Sequence, residues 1–253
     1  MTANRLHRAL HRPATLVRSN LMKSTLIGSL MLGASVSANA ADISVDVTNL
    51  TRGIYFTPLL VSAHAPANML FTPGEAASAN LQAMAEGGDI SGLSADLNAA
   101  GAVVMENPAG GLLAPGASAS TSLNTDANPD NTHLSIVGMM LPTNDGFVAM
   151  NSMMIPTTPG TYTYTINAYD AGTEANDEIR GGGAPGTAGF PVPGPLDEMI
   201  GNGGTGVAAS VEGYVHIHRN VLGDTDANGG SSDIDSVVHR WLNPVARVVI
   251  TVN

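Results

Sequence analysis

The chain has 253 residues, 10 Lys and Arg against 21 Asp and Glu, and no cysteine. Five of the basic residues (Arg5, Arg8, Arg12, Arg18, Lys23) fall in the first 40 positions, which hold no acid, so residues 41–253 carry five against 21, a formal −16, with no lysine. That balance argues against nucleic acid and anionic membrane as direct partners, since both need basic surface. The lack of cysteine removes thiol catalysis and thiolate metal sites.

From Met22 the sequence reads MKSTLIGSLMLGASVSANA. Lys23 supplies a positive start, Leu26 to Val36 a short apolar stretch, and Ala38-Asn39-Ala40 a cleavage site. This predicts a secretory signal peptide over residues 1–40 with Met22 as its true start. The apolar stretch is too short to span a bilayer, and no second one follows. Residues 41–253 are enough for one core. The expectation is a secreted protein, periplasmic or extracellular, without a transmembrane segment.

Asp42 to Leu50 alternates apolar and polar residues, which predicts a half-buried strand. Gly53 to His64 reads as a second extended segment, with Pro58 marking an edge or a bulge. A helix opens at Pro73-Gly74-Glu75, carries Leu81, Met84 and Ala85 on one face, and ends at Gly87-Gly88. A second short helix is expected from Ser91 to Ala100. Strands follow at Ala102–Met105, Ala117–Thr125, Thr132–Met140 and Thr161–Tyr169, with Leu112–Gly116 as a turn. Residues 171–206 form a long Gly/Pro-rich excursion. Val207–Leu222 and Val245–Val252 complete the strands. Short strands separated by turn residues indicate an all-β fold, a sandwich or a barrel.

Several segments in fixed order carry a resemblance. They are P-x-x-V-x-A-H (Pro58 to His64), F-x-x-G-E-x-A-S (Phe71 to Ser78) and L-x-x-M-A-E-x-G-D (Leu81 to Asp89), then S-x-x-x-M-x-x-P-T-N-D-x-F-V (Ser135 to Val148), Y-D-A-G-T-E-A-N-D-E (Tyr169 to Glu178), G-Y-V-H-I-H-R (Gly213 to Arg219) and W-x-N-P-V-A-R (Trp241 to Arg247). The chain resembles the bacterial branch of spondin-domain proteins, related to the amino-terminal spondin domain of F-spondin, over about Asp42 to Val252. The resemblance implies an antiparallel β-sandwich like that of calcium-dependent lipid-binding domains, here with a short helical insertion, and one bound Ca²⁺. Its animal members are adhesion and matrix modules. It places the ion on Asp145, Asp170 and Glu174. The chain departs from the animal pattern at Gly146, where those members have an aromatic residue, and in lacking their disulfide cysteines.

The residue chemistry agrees with that ion. Calcium takes six to eight oxygens, several of them charged. Asp145, Asp170 and Glu174 offer three carboxylates, with Asn144 and Asn176 as further donors and Gly172 allowing the loop to fold back. Without an ion the same residues read as turn formers. A weaker second calcium loop, DTDANGGSSDID, places Asp224, Asp226 and Asn228 at positions 1, 3 and 5 and Asp235 at position 12. A polar surface loop is the plainer reading there. His216 and His218 lie two apart on an expected strand and so share a face. With His64 they form a fallback Zn²⁺ or Cu²⁺ site, against the plainer reading of hydrogen-bonded structural imidazoles. No G-x-S-x-G, H-E-x-x-H or P-loop is present. The sequence therefore points to a secreted, calcium-binding, non-catalytic module for surface or extracellular interaction, whose protein or surface partner it does not name. The alternative is a periplasmic metal-dependent protein, enzymatic or metal-buffering, on the three histidines.

Overall fold

The structure, a computed structural model, describes residues 41–253; the expected signal peptide lies outside them. The alternation in β1 (Asp42–Asn49) buries Ile43, Val45 and Val47 while the residues between stay partly open. One face of the strand thus meets the core. β1 pairs antiparallel with β5 (Ser118–Asn124) on one edge and with β10 (Ala246–Val252) on the other. The expected second segment is two short strands, β2 (Tyr55–Phe56) and β3 (Leu60–His64), separated around Pro58, which has no N–H to continue a ladder.

Ten antiparallel strands lie among the described residues. The path runs from β4 (Val103–Glu106) through β3, β6 (His133–Leu141), β7 (Gly146–Met154), β8 (Gly160–Asp170), β10 and β1 to β5, with β2 on β6 and β9 (His216–Ile217) on β8. Its two ends, β4 and β5, approach each other, so the sheet is nearly closed. β8 joins the halves. Residues 160–166 pair with β10, and residues 167–170 pair with β7. The TYTYTINAY alternation behaves as expected: Ile166 and Ala168 are buried, and Tyr162 and Tyr164 pack partly buried against the main core.

The helical insertion lies between β3 and β4. The first helix, α1 (Ala79–Gly87), begins later than Pro73-Gly74-Glu75 suggested. Ser78 is its N-cap, accepting from Leu81 N–H at 3.1 Å, and left-handed Gly88 ends it, the usual pairing of a hydroxyl start with a glycine stop. With α2 (Ser91–Ala99) it covers the outer face of β3, β6 and β7. Leu81, Met84, Leu93 and Leu97 pack there with Leu60, Val137 and Phe147, while Val61, Ile136 and Val148 face the main core. β7 has no strand signal of its own because this double burial removes polar alternation.

Val207–Leu222, expected as a strand, contains only the two residues of β9. The rest is irregular chain, anchored by carboxylates rather than by a ladder. Buried Glu178 accepts from the N–H groups of Leu222 and Gly223 and from Ser232 Oγ. Asp233 accepts from Arg180 N and Gly204 N, both at 2.8 Å, and Glu86 accepts from Gly186 N at 2.6 Å. Residues 41–253 hold five basic residues, so backbone N–H groups compensate many of the acids, and the acids in turn satisfy loop backbone that no strand pairs.

Candidate metal centre at the β7–β8 end

Register places the two acidic motifs together. Gly146 opens β7 opposite Asp170, the last residue of β8, so Asp145 and the loop from Ala171 onward leave the sheet side by side. The Pro142–Asp145 turn is closed by Thr143, whose Oγ1 donates to Met140 O at 2.6 Å and accepts from Gly146 N at 3.0 Å. Asn144 Nδ2 donates to Glu174 and Asp177, and its Oδ1 accepts from Glu178 N at 3.0 Å. Asn144 thus orients two carboxylates through its nitrogen, and its oxygen, which has two lone pairs, is engaged once, by Glu178 N.

Asp145 is fully buried. Its Oδ2 accepts from Thr173 N at 2.7 Å and Glu174 N at 3.1 Å, while its Oδ1 has no partner. Burial, and then the neighbouring charge of Asp170, push its carboxyl up to about 8. Glu174 repeats the pattern. Its Oε1 takes Asn144 and Gly189 N, its Oε2 is bare and buried, and burial raises the carboxyl to about 7. Asp170 accepts from Gly172 N on Oδ1 and from Asn176 Nδ2 on Oδ2, both at 2.8 Å. Asn176 thus meets Asp170 through its donor nitrogen.

Asp170 also faces residues from elsewhere in the chain. Its Oδ1 is 3.6 Å from His216 Nε2, its Oδ2 is 3.9 Å from His218 Nε2, and His216 Nε2 is 4.0 Å from Glu212 Oε1. Among the described residues, Asp170, Glu212 and His216 are the trio of His, Asp or Glu whose ligand atoms all lie within 4.8 Å of one another. Neither Asp145 nor Glu174 is in that cluster. Gly172 brings the trio together. It has φ +65°, its carbonyl accepts from Gly213 N at 2.8 Å, and a Cβ there would lie 2.3 Å from Tyr214 O. Gly146 makes room in the same way, since its Cβ would lie 2.8 Å from His218 Cδ2. The departure from the animal pattern at position 146 is thus where a histidine ring lies. Trp241 packs edge-on against that ring, centroids 5.0 Å apart.

The Spondin_N family model matches residues 48–179. The chain belongs to the spondin-domain family. A search of curated proteins finds no match. The match supports an extracellular-type module, and no helix among the described residues is long and apolar enough to cross a membrane. The match is narrower than the resemblance over Asp42 to Val252. It includes Asp145, Asp170 and Glu174 and stops short of Glu212, His216 and His218.

Two other candidate groups in this spondin domain are placed differently. His64 is buried in β3 with Nδ1 2.8 Å from Ala65 O and Nε2 2.7 Å from Ser135 Oγ. Both ring nitrogens are engaged, and its site is not that of His216 and His218. In the DTDANGG loop, Asp224 accepts from Asp226, Ser231 and Ser232 N–H groups, which hold its carboxyl below the usual range. Asp226 accepts from Asn228 N, and Asp235 from Val237 N. These acids close turns of their own loop. Sequence reasoning missed Glu212. It stands four residues before His216 in a segment read as strand, and the signal that could have found it is the E-x-x-x-H spacing.

Metal-free protein should respond to pH with a defined sign. Asp145 and Glu174 both have folded-state values above their ordinary ones. The stability they contribute is therefore complete below about 4 and is lost as pH rises through about 7 to 8. In EGTA, Tm should fall between pH 6 and 8.5. A tenfold difference in proton affinity is about 1.4 kcal/mol, or ~3–5 °C in a domain of this size. Asp145→Asn should flatten the slope; an unchanged slope in that variant would rule out Asp145 as its source.

Proposed function

We propose that this protein is a secreted, non-catalytic interaction module whose β7–β8 end is organised by Ca²⁺ bound through Asp145, Asp170 and Glu174. The observation that carries the reading is the pair of bare, buried carboxylate oxygens, Asp145 Oδ1 and Glu174 Oε2, on loops that meet beside Asp170. A buried anionic oxygen without a donor is costly. A proton or a cation relieves it, and an oxygen-only set suits a hard cation. The ion would fix the Pro142–Asp145 turn against the Thr173–Glu178 loop and so shape the surface presented to a protein or surface partner. The acidic balance of residues 41–253 supports a partner other than nucleic acid.

Calcium at about 100 times its Kd should add ~2.7 kcal/mol, raising Tm by about 5–10 °C over the EGTA-treated protein. Asp145→Ala should abolish the shift. If wild type and Asp145→Ala melt alike in calcium and in EGTA, the calcium reading fails.

A further inference from the structure

His216 presents an unusual electrostatic arrangement. Its Nδ1 lies 2.9 Å from the carbonyl of Ile217. A carbonyl only accepts, so in the neutral ring Nδ1 carries the hydrogen and Nε2 a lone pair. That lone pair is buried without a hydrogen-bond partner and faces two carboxylates, Asp170 Oδ1 at 3.6 Å and Glu212 Oε1 at 4.0 Å. Three electron-rich atoms turned toward one point repel unless a cation sits among them. His218 supplies an independent sign. It is 96% buried, and its Nδ1 accepts from Asn220 N at 3.0 Å, so its Nε2 carries the hydrogen. That Nε2 is also unpartnered and lies on the Asp170 side at 3.9 Å.

We infer that Asp170, Glu212 and His216 form a second metal centre, for a borderline divalent transition ion of the Zn²⁺ class. The imidazole nitrogen makes the difference, because calcium takes oxygens and Zn²⁺ takes mixed His and carboxylate sets. Zn–N and Zn–O bonds of about 2.0–2.1 Å in a tetrahedron put ligand atoms ~3.3 Å apart, so the carboxylate oxygens of Asp170 and Glu212, now 3.6 and 4.0 Å from His216 Nε2, must draw in toward the ring on binding. His218 is a positioning residue. Its Nε2–H faces Asp170 Oδ2 at 3.9 Å, beyond hydrogen-bond reach, and sets a positive N–H dipole beside the ligating carboxylate. The three ligands border a pocket of about 240 Å³, which Asn176, Glu178 and Leu222 also line. The pocket gives the ion a route in and leaves a coordination position open to water or to a donor group of a partner. The centre shares Asp170 with the proposed calcium site and differs from it in every other ligand. It replaces the three-histidine grouping, keeping His216 as ligand and leaving His64 in the sheet.

The test is titration of the full-length secreted protein with Zn²⁺ by calorimetry at pH 7.5 in saturating Ca²⁺, with Co²⁺ visible spectra as a second readout. One Zn²⁺ should bind, and Co²⁺ should give the intense bands of a tetrahedral site. His216→Ala and Glu212→Gln should each weaken Zn²⁺ by more than about 10-fold while leaving the calcium-induced Tm shift in place. Asp145→Ala should remove the calcium shift and leave Zn²⁺ binding, so failure of one centre is distinguishable from failure of the other. Glu212→Gln, at a partly exposed position, keeps the test open if His216→Ala does not fold. Absence of Zn²⁺ binding would mean that a proton on His216 balances the carboxylates, and binding that survives both variants would place the ion elsewhere. Either result overturns the inference.

Discussion

Glu178→Ala is expected to destabilise the fold by ~3–5 kcal/mol. The side chain is buried and accepts three hydrogen bonds, from Leu222 N, Gly223 N and Ser232 Oγ. Hydrogen bonds to a charged group contribute about 1.5–3 kcal/mol each, and stranded buried donors cost comparably. The effects are coupled, so the total falls below their sum. The residue also holds φ at +59°, a conformation kept where surrounding structure enforces it. In a domain of this size the loss lowers Tm by about 8–15 °C. Hydrogen exchange should speed up first at residues 222–232, because that chain has little ladder of its own. Glu198→Ala, at an exposed position, should stay within about 0.5 kcal/mol. A Glu178→Ala protein as stable as the Glu198→Ala control would mean that the carboxylate anchors nothing.

The second large effect is expected at Gly172. Alanine there meets two separate penalties. The left-handed backbone costs an L-residue about 1 kcal/mol, and the added Cβ would lie 2.3 Å from Tyr214 O and 2.7 Å from Tyr214 N. Both are backbone atoms, so the clash is relieved only by moving the 212–216 segment away from Asp170. A loss of ~3 kcal/mol or more is expected, together with loss of the Zn²⁺ binding proposed for His216. Asn separates the two causes, since it tolerates the left-handed region yet carries the same Cβ. Gly172→Asn should be nearly as damaging as Gly172→Ala. Near-wild-type stability and metal binding in Gly172→Asn would show that conformation alone is at stake and that the close approach to Tyr214 is not what assembles the centre.

Much of the fold was readable where burial falls on one face. β1 and β8 alternate along their length, and their half-buried pattern follows the sequence residue by residue. β7 escaped because both of its faces are covered, Phe147 by the helices and Val148 by the main core, which leaves no alternation to detect. The Val207–Leu222 segment failed in the opposite direction. Its branched and aromatic residues suggest a strand, but its backbone is spent on Glu178, Gly172 and the end of β8. Propensity cannot register tertiary partners of that kind.

The site divides along the same line. That P-T-N-D and D-A-G-T-E would meet was legible, because each motif is a compact turn at a strand end and the structure laces Asp145 and Asn144 to residues 173–178. The grouping of His216 and His218 was legible from their spacing. That they face Asp170, with Glu212 beside His216, was not. It depends on Gly172 clamping a segment some 40 residues away in sequence, and no local pattern encodes that contact.

Asp145 is central to the proposed calcium site, because one of its oxygens is saturated by the Thr173–Glu174 backbone while the other lacks any donor. The most direct measurement is calorimetric titration of Ca²⁺ into chelator-stripped protein, wild type and Asp145→Asn side by side, at pH 8. Asn keeps the acceptor for Thr173 and Glu174 and removes the charge. One Ca²⁺ per wild-type chain is expected, with at least a tenfold loss of affinity in Asp145→Asn. Equal affinity in the two proteins, or no calcium binding by either, would rule out a calcium site on Asp145.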